Sequence, residues 1–189
     1  MFQLLKKYIQ SNVPVGADQL DNIVNLFKPK SVKRNAVLLS EGEVCKELYF
    51  VNKGCIRTYY INGQGKERTR YIAFNGIVVT SLASFITQKP SLEFVDALED
   101  SELLCISRYN FYQLVDESVE WANFYRKLLE HAYSYQNKRI ENLVMLTAKE
   151  RYDDILKNHP EHIRRLPNHI LASYLDMSQE TLSRLKKAR

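Results

Sequence analysis

Between Lys33 and Ile106 the apolar residues come in short runs punctuated by turn residues, and no long helical repeat separates them. Val37-Leu38-Leu39 precedes Glu41-Gly42-Glu43, Leu48 to Val51 precedes Asn52-Lys53-Gly54, and Cys55 to Ile61 precedes Asn62-Gly63-Gln64-Gly65. Arg68 to Phe74, Leu92 to Leu98 and Leu103 to Ile106 complete the set. Strands joined without crossover helices pair antiparallel, so this stretch predicts an antiparallel β-roll or jelly roll. One interruption, Asn75 to Ile86, reads as a turn followed by a single short helix capped by Thr80 or Ser81. A helix N-terminus aimed into a roll presents free N–H groups that can hold an anion. Packing of Leu82, Phe85 and Ile86 into the core accounts for the same pattern equally well.

Helical periodicity flanks the β region. Residues 2–28 read as two pieces broken near Val13-Pro14-Val15-Gly16, the second burying Leu20, Ile23, Val24 and Phe27. From Glu117 to Leu146 runs the longest helical signal. Trp121, Tyr125, Leu128, Ala132, Tyr135 and Arg139 recur with the alternation of a coiled-coil seam, which predicts a dimer interface. A second stripe, Leu129, Tyr133, Ile140 and Leu143, is expected to cover the barrel. A further helix over Lys149–Lys157 leads through Asn158-His159-Pro160 to the last two dozen residues.

That terminal stretch, LPNHILASYLDMSQETLSRLKKAR, gives two short amphipathic helices around a tight turn. Ile170, Leu171, Tyr174 and Leu175 line the first, and Leu182 and Leu185 line the second. Ser178 stands at the N-cap position of the second helix. A helix-turn-helix needs a small residue where the helices cross, a left-handed turn residue and an apolar plug. Ala172, Asp176 and Met177 meet those needs, Asp being among the few side chains that visit the left-handed region at modest cost. The second helix presents Gln179, Glu180, Thr181 and Arg184 outward, followed by Lys186, Lys187 and Arg189. Arg and Gln can pair with purine edges, Glu can accept from cytosine, and Lys and Arg neutralise phosphate.

Charge supports the same division. Residues 1–120 hold 14 Lys+Arg and 14 Asp+Glu, so the net +5 resides entirely in residues 121–189. A neutral module followed by a basic one suggests a polyanionic partner. The three cysteines, Cys45, Cys55 and Cys105, lack CxxC spacing and fit buried thiols of a reducing cytoplasm. No signal peptide is evident, and no apolar run approaches the ~20 residues of a membrane span, so no membrane partner and a cytoplasmic location are expected.

The order β-roll with embedded helix, long helix, helix-turn-helix resembles the catabolite-activator, or Crp/Fnr-like, transcription regulators over nearly the whole chain. Ser178-Gln179-Glu180-Thr181-Leu182-Ser183-Arg184 looks like that family's recognition helix, and Tyr49 to Gly54 followed by Ile56-Arg57 is similar to its β-roll. The resemblance implies an α+β fold in three parts. These are a cyclic-nucleotide-binding-like β-roll with N-terminal helices over 1–116, a dimerisation helix over 117–146, and a small all-α DNA-binding domain over 147–189. It further implies a homodimer on two-fold symmetric double-stranded DNA, with RNA polymerase as a further partner. Glu180 and Arg184 would read bases, Ser178 and Thr181 would touch phosphate, and Gln179 and Lys187 would complete the surface.

Three departures qualify the resemblance. Gln179 replaces an Arg typical of the family, so a different base preference is expected. The sequence ends at Arg189, after the recognition helix, where the family has a β-wing. Wing contacts to phosphate are therefore expected to be missing, with Arg164, Arg165 and the tail as the compensating cations. Cyclic-nucleotide binders carry Gly-Glu and a later Arg at the embedded helix. Here Gly76 precedes Ile77-Val78, and Lys89 is the only cation between Gly76 and Leu98. Tight cyclic AMP binding is not expected, and no cofactor is. The region around Tyr71, Phe74, Gly76, Val79, Thr80, Ser81, Leu82 and Phe85 would either take another small molecule or be filled by side chains.

Two other classes need residues that the sequence lacks. A cupin-type metal enzyme needs histidines inside the barrel, but His131, His159, His162 and His169 all follow it, so no enzyme is expected. An iron–sulfur sensor needs four placed thiols, and three are present. The remaining alternative is an effector module whose helix-turn-helix has become a protein-interaction surface.

Overall fold

The structure, a computed structural model, describes residues 2–188, so Arg189 of the basic tail lies outside the described residues. The chain forms two compact units, one comprising residues up to Tyr60 together with Tyr71–Leu128, the other Ile61–Arg70 together with the residues from Leu129 onward.

In the first unit, helices α1 (Gln3–Asn12) and α2 (Ala17–Asn25) flank the predicted break. Two four-stranded antiparallel sheets follow. One has the order β1 (Lys28–Val32), β8 (Ser101–Ser107), β3 (Glu47–Lys53), β6 (Val78–Val79). The other runs β2 (Val37–Leu39), β7 (Phe94–Ala97), β4 (Ile56–Ile61), β5 (Glu67–Ala73). This is the expected β-roll, with the embedded helix α3 (Leu82–Thr87) before β7. The β3–β4 turn needs glycine. Gly54 has φ +109°, and a Cβ there would lie 2.2 Å from Ser101 Oγ.

The roll's core is built from alternate strand residues, including Phe50, Ile56, Val95, Ala97, Leu104 and Ile106, all fully buried. An aromatic cluster extends it. Phe111 of α4 (Arg108–Glu117) meets Phe85, Trp121 and Tyr125 edge-on at 5.3–5.9 Å between ring centres. Trp121 and Tyr125 belong to α5 (Val119–Met145), a continuous helix whose first half lies in this unit and second half in the other.

The second unit holds α6 (Ala148–Asn158), α7 (Pro160–Arg165), α8 (Asn168–Tyr174) and α9 (Gln179–Lys187) with the tip of the β4–β5 hairpin. A capping box starts α6: Thr147 N–H donates to Glu150 at 2.8 Å and Glu150 N–H donates to Thr147 Oγ1 at 3.3 Å.

The structure departs from the sequence reading at several points. β1, α4 and α7 were not anticipated, and β6 occupies part of the stretch assigned to a turn. Ser81 precedes α3 but does not cap it, because its hydroxyl bonds Ser91 Oγ at 2.9 Å instead.

Candidate nucleic-acid interface

The helix-turn-helix assembles as its residue types require. Asp176 adopts φ +50°, the left-handed turn conformation. Met177 N–H closes the turn onto the Ala172 carbonyl at 3.0 Å, and Ala172 itself is buried. Ser178 Oγ accepts from Thr181 N–H at 3.1 Å, so the predicted N-cap starts α9. Leu182 is fully buried and pins the helix by its inner face. On the outer face Glu180 and Arg184 are more than four-fifths exposed, and their mutual separation of 4.0 Å makes a weak pair. Gln179 and Lys187 are exposed beside them, and Thr181 is half-buried. Lys186 is tied back to Asn168 Oδ1 at 2.6 Å.

Three arginines outside the helix-turn-helix motif hold its turn. Arg151 donates from Nε to the Leu175 carbonyl at 2.9 Å, from Nη2 to Asp176 O at 3.1 Å, and from Nη1 to Leu146 O at 2.7 Å. Arg139 Nη2 donates to Tyr174 O and to Thr69 O, both at 2.8 Å. Arg68 pairs with the Asp176 carboxylate. Ser173 Oγ adds a further tie, accepting from Thr69 N–H at 2.8 Å and donating to Glu67 O at 3.0 Å. The hairpin tip is thereby bonded to α8 and the turn that aims α9. Sequence reading placed Arg139 in a dimer seam and did not single out Arg68, Arg151 or Ser173, since partners across long separations leave no local pattern.

The stripes of α5 do not divide as expected. Trp121 is 2% exposed, Tyr125 hydroxyl bonds Tyr112 hydroxyl at 2.8 Å, and Leu128 packs on the same core. Ala132 is half-buried, Tyr135 hydroxyl bonds Tyr174 hydroxyl at 2.9 Å, and Arg139 serves the turn. The stripe expected to cover the barrel is the open one: Tyr133 is 70%, Ile140 59% and Leu143 38% exposed, with Val144 at 74%. The reason is area. The first stripe carries the large aromatics that the α4 cluster can enclose.

In the roll, Val79, Phe74 and Phe85 are buried, and Thr80 hydroxyl donates to Glu47 O at 2.9 Å. Gly76, at φ +83°, donates to Val51 O at 2.8 Å, while Tyr71 and Leu82 remain half-buried. The surprise lies on the neighbouring strands. Arg57 and Asp96 face each other across β4 and β7, paired at 3.0 Å (Nε–Oδ1) and 2.6 Å (Nη2–Oδ2), both nearly buried. Arg57 stacks on Tyr59 at 3.8 Å, and Tyr59 stacks on Phe94 at 5.1 Å. The roll therefore has a cation, but one already neutralised by the chain.

A family profile described as a cyclic nucleotide-binding domain matches residues 29–118. The chain is 26% identical over 183 residues to the anaerobic regulatory protein of Pasteurella multocida, covering 89% of this chain and 64% of that protein. It is 27% identical to the fumarate and nitrate reduction regulatory protein of Salmonella typhi, again over 89% of this chain and 70% of that one. The crystal structure of the Thermus thermophilus catabolite activator protein matches 92% of the chain and 83% of its own, with a TM-score of 0.60 at 20% identity, which shows the fold. The chain carries a cyclic nucleotide-binding domain and is similar over most of its length to regulators of the Crp/Fnr type.

No helix among the described residues is long and apolar enough to cross a membrane. The three cysteines are buried and form no disulfide, and burial raises the Cys105 pKa to about 12. Among the described residues no cluster of His, Cys, Asp and Glu could hold a metal ion.

One titratable group underlies the helix-turn-helix. The His162 ring lies 5.4 Å from Tyr174 and 5.3 Å from His159 between ring centres. Burial, helped by His159, pulls its pKa from 6.5 to about 4. The folded state thus keeps His162 neutral where the unfolded chain takes up a proton. Stability of this unit is expected to fall as pH drops from about 6.5 to about 4, and His162→Gln should flatten that dependence. Amide exchange across α8 measures it; an equal slope in the variant would assign the effect elsewhere.

Proposed function

We propose that the protein is a sequence-specific DNA-binding regulator that acts as a homodimer. The observation that carries this reading is the outer face of α9. Glu180 and Arg184 stand in solvent, paired only weakly with each other, while Leu182 and the capped, triply clamped turn fix the helix beneath them. A rigid helix offering exposed donors and acceptors suits major-groove base edges, with Lys187 and Arg164 exposed for phosphate.

The exposed α5 stripe of Tyr133, Ile140 and Val144 is the dimer surface in this reading. Pairing through long helices sets two recognition helices about 34 Å apart, one DNA turn, for successive major grooves. The β4–β5 hairpin, continuous from the roll to the turn before α9, is the route by which a roll ligand would favour one arrangement. RNA polymerase is a further partner of the promoter-bound dimer.

Ile140→Glu tests the dimer: sedimentation equilibrium should show a dimer for the wild type and a monomer for the variant, with DNA affinity lost in step. A variant that remains dimeric would rule this surface out. The roll's ligand is not cyclic AMP in this reading, because the Gly-Glu and late Arg are absent and Arg57 already has Asp96. Calorimetric titration with cyclic AMP is expected to give no tight binding, and a low-micromolar isotherm would contradict the assignment.

A further inference from the structure

We propose that the C-terminal unit carries a small-molecule site of its own, for a compact dicarboxylate, in the cavity between the second half of α5, α6 and α8. The cavity measures about 130 Å³. A void of ~150 Å³ accepts a six-carbon ring, so the occupant is a small molecule of about that size.

Its charge selects an anion. Lys138, Arg139 and Arg151 line it against a single carboxylate, Asp154, which already accepts from Asn158 Nδ2 at 2.7 Å. These four side chains sum to a net +2, and Lys138 is also paired with Glu141 at 3.7 Å. The donors are held in place but not exhausted. Arg139 spends only Nη2, on the Thr69 and Tyr174 carbonyls, and its guanidinium is fixed over the Tyr174 ring at 4.4 Å. Its Nε and Nη1 donate to no described residue, and the Asn142 side-chain amide is likewise unengaged among them. Arg139 Nε–H and the Asn142 amide, both on residues that line the cavity, are each a remaining donor for an anionic oxygen. Arg151, fixed by its three carbonyls, brings a second cation from another helix. Ile155 and Leu175, both buried, supply apolar wall for a methylene stem. Two cations from two helices with apolar surface between them fit two carboxylates on a short chain better than one compact phosphate.

Occupation would bear on the turn, because Arg139 and Arg151 are the residues that hold the carbonyls of Tyr174, Leu175 and Asp176. Binding itself is read without DNA, so the site stands or falls separately from the DNA-binding proposal.

The test is calorimetry on the intact chain with succinate as probe, and with acetate, succinamide and inorganic phosphate as comparisons. Lys138 is 69% exposed and Asn142 makes no side-chain bond among the described residues, so Lys138→Glu and Asn142→Leu should leave the fold intact. Saturable succinate binding, weakened by about tenfold or more in each variant, is the expected result. Absence of saturable heat in the folded wild type, equal affinity in both variants, or phosphate or acetate binding as tightly as succinate would each overturn the proposal.

Discussion

Replacing Arg57 by methionine is expected to destabilise the roll by about 3–5 kcal/mol, the cost of leaving a buried charge without its partner. The Asp96 carboxylate would remain 8% exposed between strands, with its two bonds of 3.0 and 2.6 Å gone. The stack of Arg57 on Tyr59 would go as well. The pair itself need not stabilise the fold, since desolvating two charges offsets most of their attraction. Arg57→Met with Asp96→Leu together should therefore recover most of the lost stability. Trp121 is the protein's one tryptophan, buried in the same unit, so its fluorescence during urea unfolding reports this unit directly. A single substitution costing under about 1 kcal/mol would mean that the site is far wetter than its burial indicates.

Arg184→Ala is expected to weaken specific DNA binding by about 1–3 kcal/mol, roughly 5- to 150-fold, and to relax preference at one base position. Arg184 is 82% exposed and its partner Glu180 lies 4.0 Å away, so the fold should not register the change. Lys187→Ala offers the contrast. A phosphate contact carries no sequence information, so its loss should weaken all duplexes alike and lower the salt slope by about one. Fluorescence anisotropy over a salt series separates the two. If Arg184→Ala leaves discrimination between sites unchanged, base reading by this residue is wrong.

What the sequence made legible follows from local rules. Asp176 was readable as the left-handed residue because few side chains tolerate that conformation, and Ser178 as a cap because its hydroxyl can satisfy a free N–H. The strands showed through their turn punctuation. β1, Lys-Pro-Lys-Ser-Val, escaped because it lies at a sheet edge with no apolar alternation to mark it. α4 escaped because the helical reading began only at Glu117, the residue with which α4 ends. The α5 stripes were both visible, but their assignment depends on which one the α4 aromatics enclose, a tertiary fact. The clamps on the turn and the Arg57–Asp96 pair join residues 24 to 108 positions apart, beyond any periodicity. Resemblance to the family located the roll and the recognition helix. It did not reveal these arginines.

The central claim is that α9 reads DNA from a symmetric dimer. Selection of bound sequences from a random duplex pool, followed by sequencing, tests it most directly. The account predicts enrichment of an inverted repeat with half-sites one helical turn apart, about 34 Å, and a base preference at the Gln179 position unlike that given by arginine. Enrichment of no sequence by a folded, dimeric protein would contradict it and favour a protein partner for the same surface.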